Sequence, residues 1–444
     1  MGYNGTENFA KGKRFGFFPA VSLGWVISEE KFFPKNNIVK YLKVRGSYGE
    51  VGNDQIGGDR FLYLPSSYGA ASDSGVNKYN FGLASNPYTS LMIVENKIGN
   101  PDLTWEKAKK MNVGVDINLF NNCLTASFDI FKEKRNNILA NRSTSPMIIG
   151  ANLPAYNFGE MENRGWEMDL NFRHHIQDFH YWARFNYSFA RNEIIYMDEV
   201  QKRYDYQMTT GRRKNQFFGL IFDGYYNSWE EINALDRPKS SWSGNQLQPG
   251  DVKYVDVNQD GVIDDYDMVP IGYTPVPEII YGFSFGAQYK GFDFSILFQG
   301  ADNVSIKYFG RSMWPFAKGE ESAKSLIKER WTQERYEAGE KITFPRLSLN
   351  PNGETDHNYR PSTLWIRDAS YLRLKNLEVG YTFTGGFVKR LNLNSVRLYF
   401  NGSNLFTWTD VVDLDPEAPS RSGNVEINTY PLQKVYNIGL NINF

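Results

Sequence analysis

Residues 278–300 read EIIYGFSFGAQYKGFDFSILFQG. Side chains along an extended strand point alternately to its two faces. Tyr281, Phe283, Phe285, Ala287 and Tyr289 therefore share one side, and Gly282, Ser284, Gly286 and Gln288 the other. Lys290-Gly291 forms a two-residue turn, where glycine takes a positive φ at little cost. The alternation then resumes, with Phe292, Phe294, Ile296 and Phe298 set against Asp293 and Ser295. A long hairpin with one aromatic and one polar face fits either a soluble sandwich or a membrane wall. Recurrence and connection length separate the two.

Further strands read at residues 15–27, where the alternation is less regular, and at 41–51, 111–120, 124–130, 166–172, 179–189, 371–383, 391–406 and 433–444. Short turns such as Asn121-Asn122 and 174–178 alternate with long polar connections at 52–110, 192–277 and 302–370. Transmembrane barrels are joined this way, with short periplasmic turns and long extracellular loops. Aromatic residues make up 16% of the 444 residues, with 28 Tyr and 32 Phe, yet mean hydropathy is −0.51. An apolar outer band around a wet lumen gives that combination. No apolar run approaches the ~18 residues of a transmembrane helix. The expected fold is all-β, a transmembrane antiparallel β-barrel fragment of about eleven strands with long extracellular loops. Parity of the loops leaves no wall position for residues 217–226 (FFGLIFDGYY), which are expected outside the membrane band. An open sheet of eleven strands leaves two unpaired edges, costly in hydrocarbon.

A net charge of −1 gives no electrostatic case for nucleic acid. The single Cys123 excludes an intrachain disulfide framework. The N-terminal stretch MGYNGTENFAKGKRFGF lacks the apolar core of a signal peptide, so an outer-membrane reading makes the chain a fragment. Residues 256–267 carry the sharpest motif, DVNQDGVIDDYD. Asp256, Asn258, Asp260, Asp264 and Asp267 fall at calcium-loop positions 1, 3, 5, 9 and 12. Val262 would lend its backbone carbonyl, and Gly261 makes the sharp turn. Asp267 stands where Glu is usual, and the flanks are not helical, so a structural Ca2+ is expected rather than a sensor. A solvated Asp/Asn/Gly turn is the plain alternative. Trp229, Trp242 and Trp314 in the long loops could stack on sugar rings, or be buried in folded loops, which is favoured. Trp25, Trp105, Trp166, Trp182, Trp365 and Trp408 lie in or beside strand edges, as an interfacial belt would. No nucleophile elbow, phosphate loop or distinguishable acid pair is present, and no enzyme is expected.

Several stretches together resemble the C-terminal barrel of SusC/RagA-type TonB-dependent outer-membrane transporters. They are FGFFPAVSLGWVISEEKFF (15–33), LKVRGSYGEVGN (42–53), NRGWEMDL (163–170), PGDVKYVDVNQDGVIDDYD (249–267), YKGFDFSILFQG (289–300), LRLKNLEVGYTF (372–383) and the ending NLFTWTD…DLDPE…YPLQKVYNIGLNINF. They run in order across essentially the whole chain. The resemblance implies a roughly 22-strand barrel with a plugged lumen, of which residues 1–444 are half, with the plug and the TonB-contacting segment absent. It also implies an outer-membrane location in Bacteroidetes-type bacteria, a SusD-like surface lipoprotein as partner, contact with the TonB complex and outer-membrane lipid, and import of oligosaccharides or peptides. The rival reading is a calcium-stabilised surface adhesin or glycan-binding β-protein without transport.

Overall fold

The computed structural model describes residues 1–55, 60–64, 69–70, 78–83, 88–91, 93–94, 98–144, 153–242, 246–308, 314–316, 325–348, 356–412, 414–417, 424–425 and 431–444. One 11-stranded sheet dominates it. Its strands are β1 (Ala20–Val26), β2 (Val39–Asn53), β3 (Glu106–Leu119), β4 (Leu124–Ala140), β5 (Tyr156–Ile176), β6 (Phe179–Tyr196), β7 (Ile279–Tyr289), β8 (Phe292–Asp302), β9 (Tyr371–Phe383), β10 (Ser395–Thr409) and β11 (Val435–Asn443). Each pairs antiparallel with its neighbours in chain order, so the sheet is a pure meander. All eleven expected strands are present. The tight turns, such as Gln177-Asp178 and Lys290-Gly291, share one rim with the 384–394 connection. The long connections 54–105, 197–278 and 303–370 share the other.

Register carries the alternation across the sheet. Val44, Val115, Phe128, Met168, Tyr187 and Tyr281 are successive cross-strand partners, as are Leu42, Ile117, Ala126, Leu170, Phe185, Phe283 and Phe298. The opposite face runs Lys43, Asp116, Ser127, Asp169, Asn186. On β6 the apolar face extends from Phe179 to Phe189 before Arg191. Ten steps of ~3.4 Å, tilted by ~45°, rise about 24 Å, the height of an outer-membrane apolar band. That face is exposed in the chain alone, as a lipid-facing surface must be: Ile130 is 56%, Leu440 57% and Ile438 80% accessible.

The buried core lies elsewhere. Leu220, Val252, Ile263, Ile306, Tyr308, Trp331, Phe344, Tyr359 and Trp365 form the largest cluster, built from the two longest loops and Val411. Those loops therefore fold into a cap with an interior of its own. Residues 217–226 belong to it. Phe218–Gly219 pairs with Val269–Pro270, and Phe222–Tyr225 with Val252–Tyr254, outside the wall as parity requires.

Three expectations need correction. The first expected strand, 15–27, is two strands. Phe15–Phe18 pairs with Gly2–Gly5, and β1 begins after Pro19, which has no N–H to continue a ladder. The strand expected at 391–406 begins later, at Ser395, because a short helix, Gly386–Arg390, occupies the turn before it. The tryptophan belt is smaller than expected. Trp25, Trp166 and Trp408 lie on the apolar face, but Trp105 is buried against Phe9 and Phe18, and Trp365 is in the cap core. Trp182 faces inward over Gly286.

Candidate functional site

Charged side chains at the polar positions of the strands meet across the inner face. Arg45 on β2 reaches Asp129 on β4 at 2.5 and 2.6 Å and Asp116 on β3 at 3.1 Å. Ser127 Oγ donates to Asp116 at 2.8 Å. Gly114 makes room for this cluster, since a Cβ there would stand 2.6 Å from the guanidinium carbon. Arg397 on β10 likewise bridges Asp293 on β8 and Glu378 on β9, the latter at 2.6 Å. Periodicity alone could have placed all six on one face, but not in contact, because the partners come from three strands each.

Where β3 to β7 rise into the cap, a recess of about 450 Å³ is lined by Glu106, Glu133, Arg135, Asn163, Asn192, Lys214 and Glu278, among others. Lys110 holds Glu133 at 3.2 Å, and Arg135 holds it at 2.9 Å. Lower on the inner face, Asp129, Glu167, Asp169, Asn186 and Ser188 border a groove of about 410 Å³. The upper recess offers paired charges and the lower groove carboxylates with amide and hydroxyl groups, both surfaces for a polar solute.

Residues 414–417 anchor the connection after β10. Arg373 on β9, only 3% accessible, donates to Asp415 at 2.6 Å and Glu417 at 2.9 Å. Lys375, set in a bulge of β9, and the Tyr371 hydroxyl hold the same Glu417 at 2.8 and 2.7 Å. Burial would raise the Asp415 carboxyl, but Arg373 and the backbone N–H groups of Glu417 and Leu432 bring it below its usual range.

The expected metal ligands fold into one tight loop. Asp256 accepts from the N–H of Asp260 and Gly261, Asn258 from that of Asp260, and Asp260 from that of Val262. Gln259 and Gly261 take the left-handed φ values of +59° and +82° that this winding needs. Asp264 caps the turn that follows through the Tyr266 N–H at 2.7 Å. Asp267 is fully buried and reaches back to the N–H groups of Val257 and Asp264 at 2.8 and 2.9 Å. Burial pushes its carboxyl upward against those hydrogen bonds. Val262 and Ile263 pair with Lys239 and Ser240, and Ile263 enters the cap core. Among the described residues no three His, Cys, Asp or Glu side chains stand close enough to hold a metal ion as they are oriented. Each ligating position is engaged with loop backbone, though carboxylate oxygens keep further lone pairs.

The loop tryptophans divide. Trp242 and Trp314 pack on the cap core, Trp242 beneath the Arg360 guanidinium at 4.1 Å and Trp314 against Tyr359. Trp229 opens a short helix and is 55% accessible. The structure does not bring the three together.

Comparison with known proteins gives one answer. The family described as "TonB dependent receptor-like, beta-barrel" matches residues 2–405. TonB-dependent receptor P3 of Formosa agariphila is 28% identical, over 99% of this chain and 43% of its own length. TonB-dependent receptor SusC of Bacteroides thetaiotaomicron is 27% identical, over 100% of this chain and 42% of its own. The solved RagAB peptide transporter shares the fold, with a TM-score of 0.72 and 24% identity over 98% of this chain and 44% of that one. The chain thus spans less than half the length of these relatives. Its apolar belt is an outer-membrane belt, continuous over eleven strands and topped by a folded cap. The chain belongs to the TonB-dependent receptor-like β-barrel family.

Proposed function

We propose that this wall forms about half of an energised importer that carries oligosaccharides or peptides across the outer membrane. The observation that supports this best is the arrangement of the meander. Its outer face is apolar for the height of a bilayer, its inner face is lined with paired charges, and the long loops gather at one mouth. Further strands close the two free edges, since a membrane sheet cannot leave its backbone unpaired. A plug in the lumen, pulled by the TonB complex, opens the path. A SusD-like surface lipoprotein delivers the solute to the cap. The work is binding and passage rather than bond making.

Calcium is part of this proposal. The spacing of Asp256, Asn258, Asp260, Val262, Asp264 and Asp267 and the complete burial of Asp267 support a structural ion. That ion would hold Ile263 in the cap core. Trp229 is the one loop tryptophan whose exposure suits contact with a solute.

The test is deletion of the full-length gene in its host, followed by growth on single oligosaccharides and on peptide mixtures. Loss of growth on one class, restored by the intact gene but not by one lacking the plug, is the expected result. Unchanged growth and uptake on every nutrient would leave the adhesin reading in its place.

A further inference from the structure

A tight turn sets two histidines side by side at the rim opposite the cap. Ile176 and Phe179 close the two-residue turn Gln177-Asp178 between β5 and β6, with Gln177 at a left-handed φ of +53°. The closing pair of such a hairpin exchanges both backbone bonds. The next pair, His175 and His180, is therefore the non-hydrogen-bonded kind, whose side chains stand closer. Their ring centroids are 5.5 Å apart, and the planes lie 23° from parallel. His180 shares the inward face with Trp182, two residues on, so both rings lie on the lumen side. His174 takes the opposite face, where the Tyr181 hydroxyl stands 3.3 Å from its Nδ1.

Neither ring of the pair makes a hydrogen bond or ion pair among the described residues. The charges around them are few. Arg173 lies one rung further along the same face, opposite Trp182. Gln288 is the partner of His180 on β7, and Asp293, opposite Gln288 on β8, is already taken by Arg397. Asp178 is exposed in the turn, and Lys290 in the neighbouring turn sits over the Tyr289 ring at 5.2 Å. Arg173 opposes any cation drawn by charge alone, so an ion here must be one that imidazole ligates directly. That excludes Mg2+ and Ca2+, which take oxygen, and leaves Zn2+, Ni2+ and Cu2+.

We infer that His175 and His180 together ligate one such divalent transition ion. A tetrahedral ion ~2.0–2.1 Å from each ligand separates two nitrogens by roughly 3.3 Å. Rings with centroids 5.5 Å apart reach that spacing by turning about χ2, a soft torsion in His, without a backbone shift. The ladder holds both ligands in place before the ion arrives, so binding orders little beyond two rings. Water fills the remaining positions, which makes the ion exchangeable rather than structural. The site stands apart from both cavities and from the loop at 256–267.

The test uses the full-length receptor without a polyhistidine tag, stripped with chelator and titrated calorimetrically with Cu2+ and, separately, with Zn2+. Millimolar Ca2+ is present throughout, so that any oxygen-ligand site is already filled. The expected result is tighter binding of Cu2+ than of Zn2+, with one equivalent lost in both His175→Gln and His180→Gln. His174→Gln, next in the chain but on the other face, should keep that equivalent. Heat-modifiable gel mobility verifies that each variant is folded. No Cu2+ binding by the wild-type receptor, or equal stoichiometry in His180→Gln, would overturn the proposal. Loss in only one variant of the pair would show a single-histidine contact, and loss in His174→Gln a different ligand set; either result would overturn it too.

Discussion

Three glycines of the wall sit beneath rings from the neighbouring strand. A Cβ on Gly300 would lie 2.2 Å from the Tyr281 ring, on Gly286 2.4 Å from that of Trp182, and on Gly439 2.2 Å from that of Tyr399. Each glycine lets a large ring lie flat against backbone, filling a hole in the face. Gly300→Val should displace Tyr281 and cost about 1–3 kcal/mol, as overpacking commonly does. The urea midpoint of the full-length receptor would register it, and an unchanged midpoint would show that the ring is free to move. The loop at residues 256–267 is the other residue-scale case. Asp260→Ala should abolish the heat of calcium binding to the intact receptor and leave the wall assembled; retained binding would count against the ligand set. Alternation revealed which face the strand residues take outside the bulges of β9 and β10, and spacing singled out residues 256–267 as a tight turn. Neither could reveal that Trp105 and Trp365 are buried, because their neighbours come from far along the chain.

The cap is an element whose stability has a source different from that of the wall. It packs Leu220, Val252, Phe344 and Trp365 to near-complete burial, as a water-soluble domain does. Trp365→Ala should therefore weaken the cap by about 3–5 kcal/mol. Hydrogen exchange would show faster exchange at residues 252–254 and 304–308 with the wall strands unchanged. Uniform acceleration through β3–β8 would mean that cap and wall unfold together. His357 gives the cap a pH dependence. Burial holds this imidazole below its ordinary range, against the pull of the Val252 carbonyl, Asp251 and Asp356. Its Nε2 donates to that carbonyl at 2.7 Å, and its Nδ1 faces Ser240 Oγ at 3.1 Å, so the folded cap favours the neutral ring. Below the unfolded value of ~6.5 the unfolded segment gains the proton first, so stability falls as pH drops from there toward the lower folded value. Protection factors in the cap, with the intrinsic pH dependence of amide exchange divided out, should be lower at pH 5.5 than at 7.5, and His357→Gln should flatten the difference. Loop parity placed residues 217–226 outside the wall. The interior they help to build was illegible, since the long loops show no continuous periodicity.

At the scale of the molecule, two solvents shape one chain. The wall turns its apolar side outward to lipid and the cap turns its own inward, so burial alone would misjudge the wall as poorly packed. Class, strand count and orientation were legible because a wall that crosses a membrane repeats one pattern from end to end. Contacts between loops were not, because nothing repeats there. Expressed as residues 1–444 alone, the sheet presents β1 and β11 as unpaired edges, which hydrocarbon penalises at several kcal/mol for each unmet group. It should accumulate as aggregate. A folded, heat-modifiable product inserted in the outer membrane would show that the edges find another solution. The cap core draws on the segments between β6 and β7 and between β8 and β9, with Val411 just past β10. Among the described residues its two main segments join the wall at strand ends, where the register is already set by the strands below. A lineage could therefore exchange those segments between paralogues without retuning a single rung of the ladder, remaking the surface of the cap while inheriting the wall beneath it.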